Sequence, residues 1–257
     1  MLTNYHTHHD RCRHASGTVE DYIKEAVRHG FDEIGMSCHV PYENFPELKA
    51  TRMTYDELEL YFNDIDEAKA NYPQLSILKS LECEYFPRLH EYMERLHGVC
   101  DYLVLGQHYV FNEGKIDVAF NFKKQNQLHL YGDSVAQALE TGLFKILAHP
   151  DVFMTSYPKW DSACTKISRQ IIESAIKNDV ILEINANGYR KGQKKYEDGL
   201  RYGYPSENFW RLVAKDYPQA KVMINSDCHD PAFLNDEFMD KGRDFAKSLG
   251  LNVMEKL

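Results

Sequence analysis

Two hydrophobic periods alternate along this chain. Short apolar runs lie at 2–8, 33–37, 76–85, 102–106, 145–148, 180–185 and 221–225. Each is short enough for a buried strand and too short for a helix. Between them, apolar residues recur every three or four positions, the period of a helix with one buried face. The first such segment follows Thr18, places Tyr22, Ile23, Ala26 and Val27 on one stripe, and stops at Gly30. Thr18 with Asp21 three residues on predicts an N-terminal cap. Further helices are predicted at 54–71, 91–96, 127–139, 166–177, 206–215 and 235–249, the last ending at Gly250. The stretches 112–124 and 188–203 show neither period and are predicted to be irregular loops.

Seven strands, each followed by a helix or a long loop, predict an α/β fold with a parallel sheet. A chain of 257 residues accommodates one such sheet closed as a barrel, hence a single domain over 1–257. No apolar stretch approaches the roughly 20 residues that span a bilayer. The N-terminal residues lack the basic start and apolar run of an export signal. Six cysteines without a CxxC pair add no disulfide framework, so the expectation is a soluble chain in a reducing cytoplasm. The net charge of −9 argues against long nucleic acid, while one or two local cations would suffice for a small phosphorylated substrate.

Ligand-type side chains fall where the predicted strands end. His6 and His8 end the first, and His39 follows the second. Glu82 and Glu84 lie late in the third, His108 follows the fourth, His149 the fifth, and Asp227 and His229 the seventh. In a parallel barrel all these ends open on one face, where active sites of that architecture lie. His6-Thr7-His8 and Asp227-Cys228-His229 repeat one spacing, because residues i and i+2 of a strand point the same way. Cys38, Cys83 and Cys228 then point the other way and are read as small apolar fillers. His6, His8, His14, His39, His108, His149 and His229, with Glu82 and Asp227, fit one face; His9, His29, His90, His97 and His129 are read as surface residues. Nine mixed nitrogen and oxygen donors exceed one tetrahedral ion. They suit two or three divalent transition ions (zinc, iron or manganese) that activate water for hydrolysis.

Seven motifs taken together resemble one family. HTHHDRCRHA at 6–15, SCHVP at 37–41, SLECEY at 80–85, LGQHY at 105–109, AHPD at 148–151, EINANGYRKG at 183–192 and NSDCHD at 225–230 are similar, in this order, to the polymerase-and-histidinol-phosphatase (PHP) superfamily. The opening motif, the chain length and the GYRKG segment resemble its monofunctional histidinol-phosphatases. The resemblance implies a distorted (β/α)7 TIM-like barrel with a trinuclear metal site. By it His6, His8, Glu82 and Asp227 would hold one ion, Glu82, His108 and His149 a second, and His14, His39 and His229 a third. It implies hydrolysis of L-histidinol phosphate to L-histidinol and phosphate, a step of histidine biosynthesis. Arg190 is then the first choice for a phosphate clamp, because guanidinium suits bidentate contacts; Lys159 and Arg201 are further candidates. Asp227, His229 or bound water would protonate the leaving alkoxide, and Glu43 or Glu84 would meet the substrate amine. Two other readings stay open: a phosphoesterase of the same superfamily acting on nucleotides or nucleic acid, and a metal-binding module without catalysis.

Overall fold

The computed structural model describes residues 1–43 and 50–257. Among these residues, seven parallel strand positions follow one another around a ring. Strand β1 (Thr3–Asn4) pairs with β2 (Glu33–Met36), and β2 with β3 (Ser76–Lys79). The chain of β3 breaks at Ser80-Leu81 and resumes as β4 (Glu82–Cys83), which pairs with β5 (Val104–Leu105). Hairpin strands β6 (Tyr109–Asn112) and β7 (Lys115–Val118) come next. The ring continues through β8 (Ile146–Leu147) and β9 (Ile181–Asn185). A second hairpin, β10 (Lys194–Tyr196) and β11 (Gly199–Arg201), precedes β12 (Lys221–Asn225), and β13 (Asn252–Val253) pairs with β12 at its outer edge.

The ring closes between β12 and β1 on a thin seam. A single parallel bridge joins Thr7 to Cys228, and His8 N donates to Cys228 O at 3.0 Å. Elsewhere along the seam, asparagine amides replace ladder carbonyls. Tyr5 N donates to Asn225 Oδ1 at 2.9 Å, and Ser226 N donates to Asn4 Oδ1 at 2.8 Å. Both amides are buried, so these bonds satisfy backbone donors that no strand reaches. This is a distorted barrel of seven strands, as the sequence pattern predicts.

The helices form where their stripes demand. Helix α1 (Val19–His29) is capped by Thr18, whose side chain accepts from Asp21 N while the Asp21 carboxylate accepts from Thr18 N; Gly30 ends it in a left-handed conformation. It buries Tyr22, Ile23 and Ala26, whereas Val27 is exposed at the rim of the stripe. Then come α2 (Glu57–Asn71), α3 (His90–His97), α4 (Gln125–Leu139), α5 (Ser162–Lys177), the short α6 (Ala186–Arg190), α7 (Glu207–Asp216) and α8 (Glu237–Leu249).

Three sequence expectations change. The 76–85 strand is two segments, because residues before the break pair on one side of the ring and residues after it on the other. The 112–124 stretch carries β7 and a 3-10 turn at Ala119–Asn121, and 188–203 carries the end of α6 and the β10–β11 hairpin. These hairpins stand apart from the ring sheets and have strands of only three or four residues, too brief to show a period.

Candidate metal centre and cavity

The C-terminal ends of the strands enclose a cavity of about 530 Å³. On its floor, imidazole nitrogens and carboxylate oxygens crowd together in three overlapping groups. In the first, His8 Nε2 lies 3.0 Å from Asp227 Oδ1 and 3.2 Å from His6 Nε2, with Glu82 Oε2 3.5 Å from both nitrogens. In the second, Glu82 Oε1 lies 3.2 Å from His149 Nε2 and 3.5 Å from His108 Nε2, and those nitrogens are 3.1 Å apart. The third joins His8, His39 and His229, with His14 Nε2 3.0 Å from His229 Nε2 on the solvent side. Glu82 touches the first two groups, and its Oε2 comes within 2.8 Å of His39 Nδ1 without forming a hydrogen bond.

The tautomers follow from the outer partners. His6 Nδ1 faces Glu183 Oε2 at 2.9 Å, and His108 Nδ1 faces Glu84 Oε1 at 2.8 Å. Carboxylates only accept, so both Nδ1 atoms carry protons. His14 Nδ1 donates to Cys12 O at 2.9 Å, and His229 Nδ1 to Asp227 O at 3.1 Å. In each neutral ring the remaining Nε2 presents a lone pair. At the His14–His229 contact the two Nε2 atoms lie 3.0 Å apart, a separation that calls for a proton or a cation between them. Ring nitrogens brought together from separate strands, with an outer acceptor fixing His6, His108, His14 and His229, are what a cation needs from its ligands. The donor set therefore fits divalent transition ions.

Charge balance agrees. Burial pushes Glu82 and Asp227 upward, but the surrounding imidazoles hold both well below the usual carboxylate range. Burial opposes a charge on His6 as well; Glu183, Asp227 and Glu82 outweigh it and raise His6 well above its ordinary value. That balance marks the place as one that favours positive charge. Burial pushes His39 and His229 down to about 3, so both stay neutral.

Local backbone serves the same end. His149 (φ 31°) and Asp227 (φ 44°) occupy the left-handed region, a cost of about 1–3 kcal/mol each for non-glycine residues. Gly106 is required by contact. A Cβ there would meet Glu82 Oε1 at 2.0 Å, so only glycine lets the carboxylate stand across β5.

The structure gathers all nine predicted ligands, but it relocates other candidates. Arg190 lines the cavity, yet its fork is spent on the protein. Nε and Nη2 bind the Asp236 oxygens at 2.7 and 2.9 Å, Nη1 donates to Ser226 O and Nη2 to Phe233 O. No bidentate face is left for a phosphate. Lys159 is exposed outside the cavity and pairs with Glu197. Arg201 stacks over the Tyr196 ring, binds Asp198 and donates to carbonyls of Met154, Tyr157 and Tyr202, which makes it a strut for the β10–β11 hairpin. Glu84 is buried between His108 and Arg52, and Glu43 lines a separate, smaller cavity. His9 is buried, stacks on Tyr61 and accepts from Arg11 N; the expected surface position fails because the residues after β1 turn back under α2. Cys12, Cys38, Cys83 and Cys228 are buried free thiols.

Glu183, Asn185, Asn187, Lys191 and Tyr204 escaped the sequence reading. Glu183 supports His6 and also accepts from Asn185 and Asn225; Asn185 and Asn187 donate to Asp227 Oδ2. The signal was present in Glu183-Ile184-Asn185, which alternates polar residues along a strand with no solvent face. Lys191 sits on the cavity wall with Nζ 2.7 Å from Tyr204 Oη and over the Phe120 and Tyr204 rings. Water reaches the residue while its ammonium is crowded by protein, as expected at the side of an open cleft.

Comparison with known proteins then decides the family. The PHP domain profile matches residues 4–187, from β1 to α6. The chain belongs to the PHP domain family. Asp227 and His229 lie beyond that match; the barrel seam brings them to the site, where their strand-end spacing had placed them. The chain is 25% identical over 262 residues to the "Probable histidinol-phosphatase" of Schizosaccharomyces pombe, covering 90% of this chain and 81% of the relative. It is 23% identical over 247 residues to the "Probable histidinol-phosphatase" of Deinococcus radiodurans, covering 93% and 90%. Among solved structures, the Lactococcus lactis histidinol phosphate phosphatase, complexed with zinc, L-histidinol and phosphate, superposes with a TM-score of 0.74 at 16% identity, covering 98% of this chain and 95% of that one. A Listeria monocytogenes chain gives 0.75 at 19%, covering 93% and 99%. These neighbours share the fold.

Proposed function

We propose that this chain is a metal-dependent histidinol-phosphatase of histidine biosynthesis, a single domain that hydrolyses L-histidinol phosphate to L-histidinol and phosphate. The observation that carries metal-dependent hydrolysis is the convergence of imidazole nitrogens on Glu82 and Asp227 at the floor of an open cavity. The choice of substrate rests on the histidinol-phosphatase relatives that span nearly the whole chain. Two or three zinc, iron or manganese ions would be held by His6, His8, Glu82 and Asp227; by Glu82, His108 and His149; and by His39 and His229 with His14 on the open side. Such ions supply Lewis acidity toward water and the phosphoryl oxygens.

The chain's own residues do the rest. Glu183 and Glu84 hold His6 and His108 in the tautomer that faces the cavity. Asn185 and Asn187 fix Asp227 through Oδ2 and leave Oδ1 toward His8. Asp227 and His229 are both unprotonated at rest, so neither is a ready acid. Asp227 can protonate the leaving alkoxide only after taking a proton from the attacking water, whereas His229, with Nδ1–H on Asp227 O and Nε2 turned to an ion, would have no nitrogen left for one. The substrate is a small phosphomonoester, and the enzyme acts in the cytoplasm, a reducing compartment that suits its free thiols. Among the described residues no helix is long and apolar enough to cross a membrane.

The test compares turnover of L-histidinol phosphate, mononucleotides and a single-stranded oligonucleotide by purified enzyme whose metal content is measured. Selective turnover of histidinol phosphate with two or three transition ions per chain is expected. Preference for a nucleotide would replace the substrate, and failure to hydrolyse any phosphomonoester after reconstitution with zinc, iron or manganese would leave only a metal-binding module.

A further inference from the structure

The cavity still needs a contact for the anion, and both arginines that line it are committed elsewhere, Arg52 to the buried Glu84 carboxylate. Arg190 spends its fork on Asp236 and two carbonyls. The neighbouring Lys191 is differently placed. Its Nζ lies 4.8 Å from the centre of the Phe120 ring, and Phe120 stacks on His108 at 5.6 Å. It lies 5.1 Å from the centre of the Tyr204 ring, and Tyr204 packs edge-on against His149 at 6.0 Å. The ammonium thus sits one ring layer from the Glu82–His108–His149 group, on the cavity side. One of its three donors is used, toward Tyr204 Oη at 2.7 Å. That bond fills a lone pair of the hydroxyl, whose own proton meets no acceptor among the described residues. Both side chains line the cavity.

We propose that Lys191 and Tyr204 form an oxyanion-binding pair that holds the phosphoryl group of the substrate against the metal centre. The inference rests on the phosphomonoesterase reading above and names the residues that contact its anion. Lys191 supplies two N–H donors and a charge, and Tyr204 an O–H donor at a fixed height set by its buried ring. Burial lowers the Lys191 pKa, and Lys194 adds to this; Asp227 and Glu82 oppose it. A bound phosphate would oppose it further and favour the ammonium form. Carboxylates other than Glu82 and Asp227 are absent from the described lining, so little else repels an anion there.

Inorganic phosphate, the reaction product, is the probe. Its inhibition constant is measured on metal-loaded enzyme hydrolysing a generic aryl phosphate, together with KM and metal content. Lys191→Met keeps the apolar stem over both rings and removes the charge; it should weaken phosphate about tenfold or more at unchanged metal content. Tyr204→Phe keeps the ring and should weaken it by about threefold or more, and Lys191→Arg should restore most of the binding. A purely structural role would lower thermal stability and leave the phosphate constant alone. Phosphate binding within twofold of the unmodified enzyme in both Lys191→Met and Tyr204→Phe overturns the proposal, as does a loss that merely follows lost metal. An enzyme that ignores histidinol phosphate but binds phosphate in a Lys191-dependent way removes the substrate assignment and keeps this site.

Discussion

At the scale of single residues, the site depends on atoms that never face the cavity. Glu183 is fully buried in β9 and orients His6 through Nδ1. Replacing it with alanine should free the ring and weaken metal binding by about 10–100-fold; competition with a chromogenic chelator reads this directly. Gly106 is as demanding, because a methyl group there would overlap Glu82. Gly106→Ala should therefore displace the carboxylate shared by two ion groups and lower both metal content and kcat, by at least about tenfold in turnover. An alanine variant with normal ion stoichiometry and turnover would show that Glu82 has another way to stand. Sequence placed Glu82 correctly but could not see Gly106 as its counterpart, since the two lie on neighbouring strands and meet only across the ladder.

At the scale of elements, local signals were legible where local physics decides. Thr18 and Asp21 satisfy each other's backbone donors, so the start of α1 was readable from four residues. Thr18→Ala should cost about 1 kcal/mol, a fall in Tm of about 2–4 °C for a domain of this size, with turnover unchanged because α1 carries no site residue. Strand positions were legible for the same reason: each buried run sits between helical stripes. The hairpins were not. β10–β11 exposes most of its side chains and β6–β7 leaves most of its own half-buried, so pairing is decided by backbone bonds that composition does not encode. Yet β6–β7 matters to the site. It leads into the turn that lays Phe120 on His108, with Ala119 N donating to His108 O at 2.7 Å.

At the scale of the whole molecule, the metal centre ties together the two ends of the chain. His6 and His8 leave β1, Asp227 and His229 leave β12, and the seam between those strands holds one bridge and two asparagine amides. Ions at the floor would act as a further fastening, so chelation should lower Tm by several degrees and re-addition of metal should restore it. A melt indifferent to chelator would separate fold stability from metal. Acid should act in the same direction. The raised His6 proton competes with a cation for Nε2, so metal affinity should fall as pH decreases, with protons released on binding. Titration calorimetry in buffers of different ionisation enthalpy measures that release.

The sequence by itself determined the seven strands, most helices and the nine ligand-type side chains, because hydrophobic period and residue chemistry are local properties. Tertiary structure decided what the cations do. Arg190, Lys159 and Arg201 looked alike as charges in or near loops, but the fold spends the first on Asp236, leaves the second outside with Glu197, and makes the third a strut. Lys191 was one more lysine in a basic loop until the barrel set it over two aromatic rings beside the ligands. A charged side chain acquires its role from the partners that reach it first, and in this chain those partners come from strands and turns far along the sequence.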